Sequence, residues 1–491
     1  HIDIYDAEDT FVGYLAYIPN YKTFEDFEIA ENSSVQLQED TYCDNLGMSK
    51  NSELDLNGYN LYVSGDVTVW YATINIARGN MKVGEDIKII NSGLINNGVL
   101  VVHGNFTTSD GDIKQQDEGT LFIEYGNVNM YGSTEDNSIS AGKSIFGKDV
   151  YMDSAVKMYG THMTEFLNCE NQYISSTGFN DVLFQNNSIK TNRFGANKLL
   201  CDLNINGINE EPIVFDVKDF NGYEVTVNGN VSIYDYNSYK RTLNGGKFNV
   251  IGNLNLGRNL IIERGILKVT GDLLNDGLIE LNDGKCFIAG NCAGNGAFDM
   301  HNKEDLIDIN GNFDLEDSNK LGSYISGTIQ LEGNMSAQIC CAAEHKMVFD
   351  GSEDQCITGE AVFGRIEMIN DNRIIIKSDT FSFVTLGSDM NILASNTSSF
   401  HEVTINTIEE NYVYNSEENK YEEERKIWQA LLNGYDLNVQ TEDCDLNLNG
   451  YFDLQGGSFN IGGNIEEFAG YIFVDKGRVS IEGDWNFEHS L

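Results

Sequence analysis

A seven-residue cassette, apolar-x-apolar-x-Gly-(Asp/Asn)-apolar, recurs along this chain, and no other feature restricts its fold as tightly. It reads LYVSGDV from Leu61 and LVVHGNF from Leu100, with a variant LFIEYGNV from Leu121 and looser copies at MKVGEDI and SIFGKDV. The marker residues of this first series are Asp66, Asp86, Asn105, Asn127 and Asp149, at steps of 20, 19, 22 and 22. A second series, VTVNGNV, FNVIGNL, LKVTGDL, FIAGNC, IDINGNF and IQLEGNM, carries Asn230, Asn253, Asp272, Asn291, Asn312 and Asn334, at steps of 23, 19, 19, 21 and 22. A third contains Asn464 and Asp484. A period of 20 residues or so holds two or three short strands and their corners at ~3.3 Å per strand residue. Alternation before each glycine turns Leu61, Val63 and Val67 inward and Tyr62 and Ser64 outward. Propeller blades need about twice this period, so the spacing selects a solenoid. The reading is an all-β, right-handed parallel β-helix of ~20 coils, stacked at ~4.8 Å to about 100 Å. Glycine supplies corner torsions, and inward asparagines are expected to form amide ladders.

A larger repeat lies above the coils. Each series opens on Asn-Gly-Tyr, at Asn57-Gly58-Tyr59, Asn221-Gly222-Tyr223 and Asn433-Gly434-Tyr435. The first two close alike, on THMTEFLNCENQYIS then FNDVLFQN, and on EHKMVFDGSEDQCITG then FGRIEMIN. FEDFEIAE near Phe24 reads as a third such ending, and SFHEVTIN near Phe400 resembles it weakly. The expected organisation is the tail of a preceding unit over 1–49, a first unit over 50–218, a second over 219–416, and the start of a third over 433–491. Between the last two, apolar spacing at Tyr421, Ile427, Leu431 and Leu432 predicts a short helical linker over 417–432, stopped by Asn433-Gly434. A chain beginning at His1, with an opening tail and a truncated last unit, reads as a slice of a longer array.

At these motifs the chain resembles the β-solenoid repeat regions of large secreted or surface proteins of Gram-positive bacteria, similar in style to filamentous haemagglutinin-like adhesins. In the second unit the ending motif rests on His345, Lys346, Gly351, Gln355 and Ile357. The first unit keeps His162, Gln172 and Ile174 but has Met163 for the lysine and Asn168 for the glycine. The resemblance spans about residues 20–400 and 433–491. It implies architecture and an extracellular or cell-surface location, not a reaction.

Composition narrows the function. With 76 acidic against 31 basic residues the net charge is −45, which repels nucleic acid and anionic lipid. No apolar run is long enough to enter a membrane as a helix. Nine cysteines include no CxxC pair. Cys286/Cys292 and Cys340/Cys341 are the nearest pairs, Cys169 and Cys356 are read as inward thiols, and one or two bridges remain open. His162 and His345 hold equivalent repeat positions, which argues for packing, since a catalytic residue need occur once. Tyr59, Tyr223 and Tyr435 repeat likewise. Arg258, Arg264 and Lys268 form the densest basic run, and the Asp350–Asp354 stretch could hold calcium weakly. No catalytic residue is assigned, and no cofactor beyond that weak calcium. The expected function is a non-catalytic scaffold, stalk or adhesin segment, with a cell-surface glycan, a protein or end-to-end self-association as partner. A polysaccharide-binding or polysaccharide-degrading β-helix and a self-assembling filament subunit are the alternatives. An enzyme would show as one coil breaking register, and residues 150–220 and 340–430 are the least regular.

Overall fold

A computed structural model describes residues 2–5, 11–15, 22–115, 117–132, 138–153, 155–167, 172–234, 240–316, 323–337, 339–359, 361–378, 380–395, 402–406, 408–415, 420–427, 429–442 and 444–485. Among these the structure is all-β with no helix. Parallel strands stack coil upon coil as a β-solenoid. The chain divides into two compact units, one of residues 1–209 with 215–217, the other of 210–214 with 218–491.

In the first unit the coils from Leu61 to Ile139 have three short strands each, hence three faces, A, B and C, whereas Thr41–Met48 runs unbroken along faces A and B. One coil runs Leu61–Val63, Val67–Trp70 and Thr73–Ile76, and the next Asn80–Val83, Ile87–Ile90 and Gly93–Asn96. Pairing is in register from coil to coil. Leu61, Met81, Leu100 and Leu121 stack on face A, Val67, Ile87, Phe106 and Val128 on face B, and Ile74, Leu94 and Ile113 on face C. All of these are buried, so the alternate residues of three ladders converge on one apolar core. Aromatic rings extend the columns: Phe166 lies 5.9 Å from Phe146 and 4.8 Å from Phe184, centroid to centroid.

The second unit repeats the plan. Phe248, Leu267, Cys286, Ile307, Ile329 and Met347 stack on its face A, and Val231, Leu254, Leu273, Cys292 and Phe313 on its face B. Further along, Arg373–Ile376, Met390–Ala394, Leu437–Thr441 and Ser458–Gly462 form one parallel ladder.

The helical linker expected over 417–432 is not formed. Lys420–Ile427 pairs antiparallel with Ile408–Asn415, as a hairpin inserted where Met390 pairs with Leu437 of the next coil. The apolar spacing read as helical ignored the strand-forming run Ile408–Asn415 just upstream, which gives this segment a backbone partner. Its register sets Glu410 opposite Arg425 and Glu409 opposite Lys426.

The corners explain the cassette, in a way the sequence did not anticipate. The marker Asn and Asp residues are not inward. They lie at solvent-facing corners, and along each series side-chain oxygens accept the backbone N–H of the marker one coil on, the last markers Asp149 and Asn334 accepting instead from Tyr173 and Cys356. Asp66 Oδ1 accepts from Asp86 at 3.0 Å, Asp86 Oδ1 from Asn105 at 2.7 Å, and Asn105 Oδ1 from Asn127 at 2.9 Å. The run from Asn230 Oδ1 through Asn253, Asp272, Asn291 and Asn312 to Asn334 N–H keeps every bond within 2.8–2.9 Å. Either residue type serves because the coil-to-coil bond needs only an acceptor oxygen; where an asparagine follows an aspartate its Nδ2 also donates back, as Asn105 does to Asp86 and Asn291 to Asp272. The preceding glycine is required by close approach. A Cβ on Gly271 would strike Asn253 Oδ1 and the Gly252 carbonyl, while its φ stays outside the left-handed range. Among the cassette glycines Gly229 and Gly252 do have positive φ, 143° and 150°, and the Asn-Gly pairs are left-handed at both residues: Asn57 and Gly58 have φ of 51° and 86°, Asn221 and Gly222 of 53° and 82°, Asn433 and Gly434 of 53° and 80°. The following tyrosine closes each turn, Tyr59 N–H donating to Leu56 O at 2.8 Å and Tyr223 N–H to Phe220 O at 3.0 Å.

Candidate functional site

Most residues singled out by the sequence are engaged in the stack. Gln355 is 4% exposed; its Nε2 donates to Leu331 O at 2.9 Å and Gly333 O at 2.7 Å, and its Oε1 accepts from Gly351 N–H. Gln172, its counterpart, likewise donates from Nε2 to the Lys148 carbonyl. His162 and His345 are both wholly buried. The Nδ1 of His162 lies 2.9 Å from Ala141 O, and burial lowers its pKa. His345 has no hydrogen-bond partner on either ring nitrogen, packs edge-on against Tyr324, and is held down to about 4 by burial. Neutral, enclosed imidazoles of this kind are packing elements. Asn168, Cys169, His1, His401 and His489 lie outside the described residues.

The other charged and thiol groups are dispersed. Arg258, Arg264 and Lys268 do not form a patch: Lys268 points outward from face A, Arg264 occupies the corner before it, and Arg258 follows face B. Arg264 pairs with Glu263 at 3.2 Å. Within the Asp350–Asp354 stretch, Asp350 accepts from Gln330 Nε2, whereas Asp354 is gripped by Arg373 Nε at 3.0 Å and Nη2 at 2.7 Å, which holds its carboxyl below the usual range. Among the described residues no three His, Cys, Asp or Glu side chains converge as a metal site. Cys43, Cys201, Cys286, Cys292, Cys356 and Cys444 are thiols outside any disulfide. Burial, and then Asp308, pushes Cys286 up to about 12, and Cys292 beside it is raised by burial and by Cys286. Cys356 is half-buried between inward Gln355 and Ile357, hence on the outward register and not the inward one expected. At the two least regular stretches several carboxylates are engaged by bases. Lys143 pairs with Glu165, which also accepts from Gln185 at 2.6 Å, and Arg365 and Lys346 both reach Glu367, at 2.7 and 3.2 Å.

One place in the first unit departs from this economy. Between faces B and C, successive coils put Asn32, Asn51, Tyr71, Asn91 and Asp110 at the same corner, all with φ between 48° and 60°. Asn and Asp tolerate that left-handed conformation, whereas a bulky side chain there costs about 1 kcal/mol or more. Tyr71 is nonetheless present, 45% exposed, with Trp70 beside it 52% exposed and edge-on at 5.3 Å. Next to this corner a groove of about 580 Å³ opens over face C, lined among others by Asn51, Tyr71, Asn91, Asp110, Asp112 and Lys114. Its floor is low because the outward column Glu53, Thr73, Gly93, Asp112 has no side chain at Gly93. Beneath the corner, buried Ser92 takes the Ala72 N–H at 3.1 Å and donates to Ile90 O, the carbonyl that also accepts the Tyr71 N–H at 3.0 Å. The sequence reading missed this site by looking to the repeated tyrosines; the available signal was one aromatic interrupting an Asn/Asp column at steps of 19, 20, 20 and 19 residues.

No protein-family model, curated protein or solved structure matches the chain.

Proposed function

We propose that the chain is a non-catalytic repeat scaffold, the stalk or adhesin segment of a large secreted or surface protein. The observation that carries this reading is the fate of the recurring residues. The Gly-(Asp/Asn) corners, the buried histidines and the buried glutamines each complete a coil-to-coil contact. A catalytic constellation needs unique groups that converge on a reacting atom. In the second irregular stretch Lys346 and Arg365 both meet Glu367 and Arg373 meets Asp354, while Glu165 of the first is engaged by Lys143. The acidic total, −45, suits an extended array that must stay in solution and avoid polyanions. The extracellular placement follows the resemblance of the repeat motifs to bacterial surface solenoids. The test is a turnover assay: the chain is incubated with neutral and acidic polysaccharides, and reducing ends and unsaturated uronates are followed. The expected result is no product above buffer. Product formation abolished by one substitution would establish the enzyme reading in its place.

A further inference from the structure

We propose that the groove on face C of the first unit binds a neutral, hydroxyl-rich glycan, with Tyr71 as its aromatic platform and Trp70, edge-on to Tyr71 at the end of the face B strand, flanking it. The proposal rests on the adhesive reading above and gives it a location. Backbone and solvent both disfavour a tyrosine at position 71. Its torsion is the one that Asn or Asp fills in the four neighbouring coils, and its ring stands in water beside an equally exposed tryptophan. Nothing in the stacking needs that ring, since Asn51 and Asn91 keep the same corner without it, and Asn51 and Tyr71 N–H groups make the same kind of coil-to-coil bond, at 2.8 and 3.0 Å.

The chemistry of the lining selects the ligand. Amides, hydroxyls and carboxylates alternate with the single Lys114, a mixture of donors and acceptors suited to vicinal hydroxyl groups. The exposed Tyr71 ring offers an amphipathic face for the C–H side of a pyranose ring. Glu53, Asp110 and Asp112, within a chain of charge −45, disfavour uronate or sulfated chains. From Asn51 to Asp110 the corner climbs three coils, ~14 Å at the strand spacing, so the matching occupant is an oligosaccharide and not a single sugar.

The test is titration calorimetry of the full chain with cellohexaose, mannohexaose and chitohexaose, and with hexagalacturonate as the acidic counter-probe. The informative variant is Tyr71→Asn, which installs the residue of the adjacent coils and relieves the backbone, so loss of binding cannot be blamed on misfolding. The expected result is that at least one neutral hexaose binds. Tyr71→Asn then weakens it tenfold or more with the melting temperature unchanged or raised. Equal affinity in Tyr71→Asn, no binding of any neutral hexaose, or binding of hexagalacturonate alone would overturn the proposal. Shortening of a bound hexaose would leave the site standing and overturn the non-catalytic reading instead.

Discussion

Acidification should weaken the second unit through one residue, His345. The ring is wholly buried, both nitrogens lack partners, and its pKa sits near 4 against 6.5 for the free side chain. Between those values the unfolded chain takes up a proton that the folded coil refuses, so stability falls as pH falls. The contribution is fully present above about pH 6.5, declines through the window, and is lost by about pH 4. Two and a half pH units at 1.36 kcal/mol each make the loss about 3 kcal/mol, an order-of-magnitude figure. His345→Phe removes the titration while keeping an aromatic ring against Tyr324, and is expected to be at least as stable at neutral pH. Amide hydrogen exchange over Lys346–Phe349 at pH 7 and pH 4.5 reads local stability in wild type and variant, and their difference cancels the carboxylates that titrate in both. Deuterium uptake at the imidazole C2 position reads the pKa directly. An uptake midpoint near 6.5, or equal acid losses in wild type and variant, would refute the argument.

Three further expectations follow from the corners and the core. Asn312→Ala deletes the acceptor for Asn334 N–H and should cost about 1 kcal/mol in chemical denaturation, while Asn312→Asp, stacked between the amides Asn291 and Asn334, keeps the oxygen and should be nearly neutral. Gly271→Ala should destabilise by ~1–3 kcal/mol, because the new methyl meets the preceding coil's backbone; Gly58→Ala, which has open space but a φ of 86°, should cost only the ~1 kcal/mol of its torsion. In native labelling with a maleimide followed by peptide mapping, outward-facing Cys356 should react before Cys286 and Cys292, which should react only on unfolding; early modification of Cys286 would contradict its burial.

The coil period was legible because glycine and the following Asn or Asp are under a strict geometric demand, though for a reason the sequence conceals. A Cβ at Gly271 would collide with the coil before it, where the Asn253 side-chain oxygen and the Gly252 carbonyl already fill the space. Those groups are distant along the chain and become neighbours only through stacking. The three-sided cross-section was not legible, since strands of three to five residues alternate identically whether a coil has two sides or three. The segment after Glu417 misled because its periodicity was judged without its partner strand, a non-local pairing that overrides local preference. Burial of His162 and His345 was anticipated from their repetition, and the unpartnered ring nitrogens of His345 were not. Tyr71 was overlooked because its meaning lies in the column it interrupts, and that column exists only once the coils are aligned.

The parallel stacking itself is tested most directly by one distance. Thr226, Asn249, Lys268, Phe287, Asp308 and Gln330 pair successively on face A of the second unit. Spin labels at Thr226 and Gln330, more than a hundred residues apart in sequence, are therefore separated by five rungs, or ~24 Å at 4.8 Å per rung. Pulsed electron–electron resonance should return a single narrow distribution near that distance, broadened only by the label arms. A distribution centred beyond ~40 Å, or one with no defined maximum, would contradict a stack built on this five-rung register.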